Sequence, residues 1–561
     1  MATADIEKPA LNSNANSDNP AEYAQAPGRT ERLTRSTLIV MLAFAVAKVI
    51  SLAQTFIIAN VFGAGREWDA FVTANGVPEL IFTLISGGAL AHAFIPIFSG
   101  YLASEDRAGA WRIASHVINT IFVTTLLVSV VVFLLAPTLV TNWIAPGFDA
   151  ATQAQTIQLM RILLISTLIF SISGISMGIL QSHNRFVLPA LAPIMFDLGI
   201  LFGVAFLIPA FGVYGVAIGA VIGAALHLGV QVPGLIRVRA HWWPELGLRD
   251  PVLWRVIRLM LPRVAGLGVF SLNFLVMNSI ASRLGEGSVS ALSWGWRLMQ
   301  IPETLIGTAM GTVIFPMLAA LSELGDERGK REAMSGALRF ILIATIPSAI
   351  GLIIVGPPLI RLLERGAFDA SASAMVYSTL RFFALGLVVH SALEIVARSF
   401  YADKDTLTPL WAALGGAALN LGLSYALSGV NNPDAPNLGV GGLALANSIG
   451  TAFEVFVLLW LLRRRWHGAN ETALGRTIIK TIAASLVMTL AILIIDTLWN
   501  ALGLADRSLP FIVAQVAIES LVGVAVFIGV ALLLKMDEVR TIITTITARV
   551  MRRPTQPEGT P

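Results

Sequence analysis

The sequence predicts an all-α polytopic membrane protein with 14 transmembrane helices: two pseudo-twofold-related six-helix lobes plus two C-terminal helices. Three observations carry this reading. Of 561 residues, 56% are hydrophobic and only 13% are charged, with a mean hydropathy of +0.76. A soluble globular chain does not need that much apolar surface. Apolar runs recur from residue 37 to residue 534. They are about 20 residues long, enough for a helix to cross hydrocarbon and about twice the length of a barrel strand. Finally, the chain repeats itself. Gly63-Ala64-Gly65 and Val77-Pro78-Glu79 return as Gly285-Glu286-Gly287 and Ile301-Pro302-Glu303. Ala145-Pro146-Gly147-Phe148-Asp149 returns loosely as Arg365-Gly366-Ala367-Phe368-Asp369, Pro189 as Pro409, and Gly212-Val213-Tyr214-Gly215 as Gly439-Val440-Gly441-Gly442. The separations lie between 220 and 227 residues, so the duplication is ordered. A duplicated bundle with a cleft between its halves is the plan of an alternating-access transporter.

The elements follow in order. Residues 1–33 are polar, lack an apolar h-region and read as a disordered cytoplasmic tail. Residues 34–240 form the N-lobe, with spans 1–6 centred near residues 48, 84, 124, 168, 197 and 224. Residues 241–468 form the C-lobe, with spans 7–12 near 270, 304, 344, 387, 418 and 451. Spans 13 and 14, near 488 and 522, fill 469–540, and 541–561 is a second cytoplasmic tail. Six spans per repeat give both lobes one orientation, so the pseudo-twofold axis runs along the membrane normal. Arginine and lysine crowd alternate connections: Arg29, Arg32 and Arg35; Arg107 and Arg112; Arg237, Arg239 and Arg249; Arg328, Lys330 and Arg331; Arg463, Arg464 and Arg465. The other connections are nearly bare, which places both termini in the cytoplasm. His241-Trp242-Trp243-Pro244, between the lobes, reads as a segment lying at the membrane interface.

Charges inside spans need a reason. Lys48 falls about eleven residues into span 1, roughly 16 Å deep at 1.5 Å per residue. It reads as a cavity group, against a helix–helix contact. Glu79 follows Pro78 in span 2 and Glu303 follows Pro302 in span 8. This pair reads equally as lining both walls of a cleft or as satisfying backbone groups freed by the prolines. Arg297 is the sharpest single residue: a guanidinium stays charged and grips phosphate through two parallel hydrogen bonds. The alternative is an arginine reaching the interface or pairing with an acid. Arg161, Asp197, Arg258 and Arg263 are weaker candidates. Glu394 and Arg398, at i and i+4, read as an intrahelical pair. Asn273, Asn278 and Asn420 read as packing contacts before Na⁺ ligands. Pro78, Gly87, Gly88, Pro302, Gly307 and Gly311 read as bending points.

The chain contains no cysteine, and His92, His116, His227 and His390 are scattered, so neither thiol chemistry nor a metal site is expected. No P-loop signature is present, and no acidic cluster occupies a long loop, so neither an ATPase nor a glycan-building enzyme is expected.

At Gly63-Ala64-Gly65, Asp69-Ala70-Phe71, Pro78 and Gly88-Ala89-Leu90-Ala91-His92-Ala93-Phe94-Ile95-Pro96 the chain resembles the MurJ/MviN family. Asn184-Arg185-Phe186, Arg297-Leu298-Met299-Gln300-Ile301-Pro302 and Phe400-Tyr401-Ala402 extend the resemblance over roughly residues 35–465. These are bacterial lipid II flippases within the wider multidrug/oligosaccharidyl-lipid/polysaccharide exporter group. The resemblance implies alternating-access transfer of an undecaprenyl-diphosphate-linked peptidoglycan precursor across the cytoplasmic (inner) membrane for cell-wall synthesis. It implies a cationic cavity built by arginines of spans 1, 2 and 8. Carried over, Arg297 is the span 8 arginine, Asp69 the acid after the first loop and Lys48 one span 1 cation. Gln54 stands where the family has a second cation, Thr55 where it has an acid, Phe82-Thr83 where it has an arginine pair, and Gly87 where it has a glutamate. These departures leave open a flippase for another polyprenyl-linked glycan. A cation-coupled drug or metabolite antiporter of the same fold is the further alternative. The expected partners are the lipid-linked glycan, membrane lipids and cell-wall synthesis proteins, with no nucleic acid. The expected state is a monomer without cofactor, and Na⁺ or H⁺ coupling is left open.

Overall fold

The computed structural model describes residues 50–540 and 544, apart from 52, 87, 432–436, 467, 469 and 504–507. Lys48, Gly87, the 1–33 tail and all of the 541–561 tail except Thr544 therefore lie outside the described residues. Among the described residues, helices are the only regular structure. Twelve of them are long and apolar enough to cross a membrane. These are spans 3 (Arg107–Ile144), 4 (Ala150–Ser182), 5 (Val187–Phe211), 6 (Val213–Arg237), 7 (Val264–Leu284) and 8 (Ser288–Glu323). The rest are spans 9 (Glu327–Ile354), 10 (Ala370–Ala402), 11 (Leu407–Leu427), 12 (Val440–Arg465), 13 (Glu471–Ala501) and 14 (Leu509–Leu533). Span 1 contributes Ala53–Phe62. Span 2 is built from Arg66–Ile81, Phe82–Ser86 and Gly88–Ala103. This set is compatible with fourteen spans.

The duplication extends to local backbone chemistry. Asp106 caps span 3 by accepting from the Gly109 N–H, and Asp326 caps span 9 from the Gly329 N–H, each at 2.8 Å. Asp149 caps span 4 through Thr152 at 2.9 Å, and Asp369 caps span 10 through Ala372 at 2.8 Å. A carboxylate satisfies N–H groups that the first helical turn leaves orphaned, and it complements the helix dipole. Gly212 (φ 56°, ψ −139°) and Gly439 (φ 54°, ψ −136°) start spans 6 and 12 in one and the same conformation, which a side chain would strain. In both repeats a π-turn follows the span proline within a few residues. It is Phe82–Ser86 after Pro78 and Thr304–Thr308 after Pro302. Proline removes the hydrogen bond to the carbonyl four residues before it, so each span has a weakened turn just ahead of its widened one.

Packing follows the repeat as well. Span 4 packs on spans 2, 3 and 6, and its counterpart span 10 packs on spans 8, 9 and 12. Spans 13 and 14 attach through span 9, around Ile343, Ala484, Met488 and Phe527, with Arg339 bonded to Glu538 at 2.8 Å. Span 7 joins both halves. Leu253, Val256 and Met260, in the helix beginning at Pro251, are buried among N-lobe residues such as Phe94, Trp111 and Ile175. Farther along, the Asn420 amide of span 11 donates to Asn273 at 2.8 Å, a packing bond across helices. The interlobe segment is strapped to span 3: the Asn119 amide donates to the carbonyls of Trp243 and Glu245 at 2.6 and 2.8 Å. The Trp242 indole returns a bond to Asn119 at 2.8 Å.

Candidate functional site: the cleft between the lobes

At the predicted outer end the lobes are locked together. Asp69 of span 2 is 1% exposed. It accepts from the Gly287 N–H at 2.6 Å, the Ser290 N–H at 2.7 Å and the Ser290 hydroxyl at 2.6 Å. It thus caps the helix of span 8, whose own N-cap, Gly287, has no side chain to do so. The Trp294 indole donates to the Gly63 carbonyl at 3.1 Å, and Trp68 stacks on Trp294 with ring centroids 5.7 Å apart. The Ala367 N–H donates to the Asn60 carbonyl at 2.8 Å. Nearer solvent, Arg66 bridges Asp149 at 3.0 Å and Glu286 at 3.1 Å. The Ser279 hydroxyl donates to the Trp143 carbonyl at 2.5 Å. Outside the spans, Asp149 is held below the usual carboxylate range by Thr152, through its side chain and then its N–H, with Arg66 adding to the effect.

Beyond this lock, span 8 carries polar groups that solvent reaches. Arg297 and Gln300 are exposed although they lie within the outer half of the span. Arg297 lies within Coulombic reach of Glu79 from span 2 and of Asp197 from span 5. Charges from three spans of two lobes within Coulombic reach of one exposed guanidinium mark the cleft. The Asn75 amide donates to Glu79 at 3.1 Å and orients it. Behind Arg297, Trp296 packs among Phe274, Phe383 and His390, with ring centroids 4.7, 5.2 and 5.2 Å away. This aromatic wall fixes the turn of span 8 that bears the arginine.

The structure separates residues that the sequence grouped. Glu79 and Glu303 do not form one pair. Glu303 is half-buried and stands within Coulombic reach of Glu394 and Arg398 of span 10. The Thr308 hydroxyl lies 3.4 Å from its carboxylate. Glu394 and Arg398 form the expected intrahelical pair at 2.6 Å. Asp69, expected as a substrate contact, is instead the buried cap between the lobes, because its oxygens are already occupied by span 8 donors. Gln54 is half-buried on the described part of span 1, and Lys48 lies outside the described residues. Arg161 turns to the Phe133 carbonyl (3.2 Å) and stacks over the Phe133 ring, away from Arg297. Gly307 and Gly311 face span 10: a Cβ at Gly311 would overlap the Arg398 guanidinium, and one at Gly307 would lie 2.9 Å from the Ser391 Cα. Sequence reading ranked Asp197 low and missed the Trp68–Trp294 stack. The only sequence signal for that stack is that both tryptophans follow a repeated glycine turn. The described residues hold no group of three or more His, Cys, Asp or Glu side chains suited to a metal ion.

The family model described as "Lipid II flippase MurJ" matches residues 58–514. The chain is 29% identical over 467 residues to the lipid II flippase MurJ of Burkholderia cenocepacia, covering 81% of this chain and 89% of that one. It is 28% identical over 500 residues to the probable lipid II flippase MurJ of Rhizobium tropici, covering 87% and 92%. Among solved structures, the fold is similar to a lipid II flippase MurJ in an inward closed conformation: TM-score 0.74, 24% identity, 90% of this chain and 100% of that one. It is also similar to an inward-facing multidrug resistance MATE family transporter of the MOP superfamily: TM-score 0.65, 17% identity, 76% and 96%.

Proposed function

Because this chain belongs to the lipid II flippase MurJ family, we propose that it carries the headgroup of lipid II, an undecaprenyl-diphosphate-linked peptidoglycan precursor, across the bacterial inner membrane. It is a multi-pass membrane transporter and not an enzyme. The observation that carries the mechanism is Arg297: a permanently charged group inside the outer half of span 8, exposed and within Coulombic reach of two N-lobe carboxylates. A guanidinium so placed offers a diphosphate two parallel charge-assisted hydrogen bonds. The headgroup enters while the outer end is locked through Asp69, Trp294 and Arg66. The lobes then rock, the lock parts, and the cleft opens on the other side. Span 7, packed into both lobes, and the π-turns after Pro78 and Pro302 are where the bundle bends, with Gly88 opening the helix that follows the first and Gly307 inside the second. Glu79 and Asp197, within Coulombic reach, balance the charge of Arg297 when the cleft is empty, and phosphate takes over that role when the substrate arrives. Both termini face the cytoplasm, as the distribution of arginine and lysine supports. The membrane potential, about 2.3 kcal/mol per charge per 100 mV, is a driving force available to a cleft whose net charge moves, and Na⁺ or H⁺ coupling is a further one.

The test is headgroup translocation in proteoliposomes, comparing lipid II with glycan-free undecaprenyl diphosphate for wild type and Arg297→Ala. Lipid II movement that the substitution abolishes supports both substrate and clamp. Absence of lipid II movement by folded protein overturns the substrate. A second reading, a cation-coupled antiporter of the same fold, draws on the two carboxylates facing Arg297. Survival of a strain depleted of its own lipid II flippase on this gene would exclude it.

A further inference from the structure

At the predicted inner end, the first turns of the helix beginning at Pro251 wall a groove of about 570 Å³. Leu248, Arg249, Trp254, Arg255, Arg258 and Leu259 line it. Among the described residues none of the three guanidiniums has a hydrogen-bonding or ionic partner. Elsewhere Arg66, Arg339, Arg398 and Arg465 each hold a carboxylate. The acids nearest in sequence are already engaged. Asp250 accepts from the Val252 N–H at 2.8 Å and meets His116 at 2.9 Å, and Glu245 meets the other His116 nitrogen at 3.5 Å. The Trp254 indole donates to the Leu248 carbonyl at 2.8 Å, which fixes the ring at the groove. Leu248, Trp254 and Leu259 are nevertheless 56%, 52% and 57% exposed. The opposite face of the helix, Leu253, Val256 and Met260, is buried in the N-lobe, so the groove face is held in place.

Three unneutralised guanidiniums beside uncovered leucine and tryptophan suit a ligand that is phosphate at one end and hydrocarbon at the other. A soluble phosphate would leave the apolar wall wet, and a neutral lipid would leave the cations unpaired. Tryptophan and arginine also favour the headgroup level of a bilayer. We infer that this groove binds the phosphate of an anionic glycerophospholipid from the adjacent leaflet, with Arg249, Arg255 and Arg258 on the phosphate and Trp254, Leu248 and Leu259 against the glycerol and first acyl carbons. The bound lipid then anchors the inner end of span 7, which packs into both lobes. The site is separate from Arg297 and does not depend on the substrate.

Native mass spectrometry of the purified full chain tests this with four probes: phosphatidylglycerol, phosphatidylcholine, inorganic diphosphate and undecaprenyl diphosphate. The wild type is expected to retain one phosphatidylglycerol in preference to phosphatidylcholine. Affinity should fall about fivefold for each arginine replaced by alanine. The R249K/R255K/R258K variant keeps the charge and the fold but loses the paired hydrogen bonds, so it should also bind phosphatidylglycerol more weakly. Equal retention of phosphatidylcholine, or unchanged binding in the lysine variant, would overturn the inference in favour of diffuse surface charge. Displacement of the lipid by an equal concentration of inorganic diphosphate would reassign the groove to a soluble anion. Displacement by undecaprenyl diphosphate would reassign it to substrate entry.

Discussion

The carboxylate of Asp69 holds Ser290 twice, through the backbone N–H at 2.7 Å and the hydroxyl at 2.6 Å. Chain positions 221 residues apart, in opposite lobes, thereby share one helix cap. Asp69→Asn would turn an amide N–H toward these donors and remove the charge. A loss of about 2 kcal/mol is expected, which shifts the ratio of locked to open outer end about 30-fold toward open. Because the native chain has no cysteine, a single engineered thiol near the outer end of span 8 reports this as faster labelling. Unchanged labelling would refute the lock.

Arg297→Lys keeps a positive charge but not the planar fork. Flipping by this variant should lie well below wild type, and that by Arg297→Ala lower still. Full activity with lysine would mean that the cleft needs only a point charge there.

Glu79→Gln removes one of the two carboxylates within Coulombic reach of Arg297. Binding of a diphosphate lipid should tighten severalfold, because the incoming anion no longer competes with that carboxylate and no longer meets its repulsion. Isothermal titration with a short-chain prenyl diphosphate measures the change. Weaker binding would show that Glu79 contacts the substrate directly.

Gly311→Ala places a methyl group where the Arg398 guanidinium lies. Overpacking of this kind costs about 1–3 kcal/mol, and it should also detach Arg398 from Glu394. Gly336→Ala, in span 9, is the control, since nothing lies within 4 Å of an added Cβ there. A melting point lowered by the first substitution and not by the second is expected. Equal melting points would remove the packing argument.

Asp149 sits outside the spans, and its folded-state carboxyl lies below its ordinary value. A depressed carboxyl stabilises the folded arrangement above its unfolded value and loses that contribution as pH falls through the folded one. The Arg66 bridge should therefore loosen only on the acid side, and modestly, because solvent screens it. Outer-end labelling should rise in acid, by less in Asp149→Asn than in wild type. Identical acid responses would exclude Asp149 as the source.

Span positions, the duplication and the span prolines were legible in the sequence. Hydropathy is a property of consecutive residues, and a repeat preserves the residue types its backbone needs, such as the glycines at 212 and 439 and the aspartates at 149 and 369. Tertiary structure decided where the ionisable groups went. Asp69, a substrate candidate by position, became a cap for a helix 218 residues away. Glu79 lies within Coulombic reach of Arg297, while its repeat mate Glu303 lies within reach of Glu394 and Arg398 of span 10. A sequence states that a charge inside the membrane must have a partner; which partner it finds depends on how the helices rotate and pack, and that is settled only when the lobes meet.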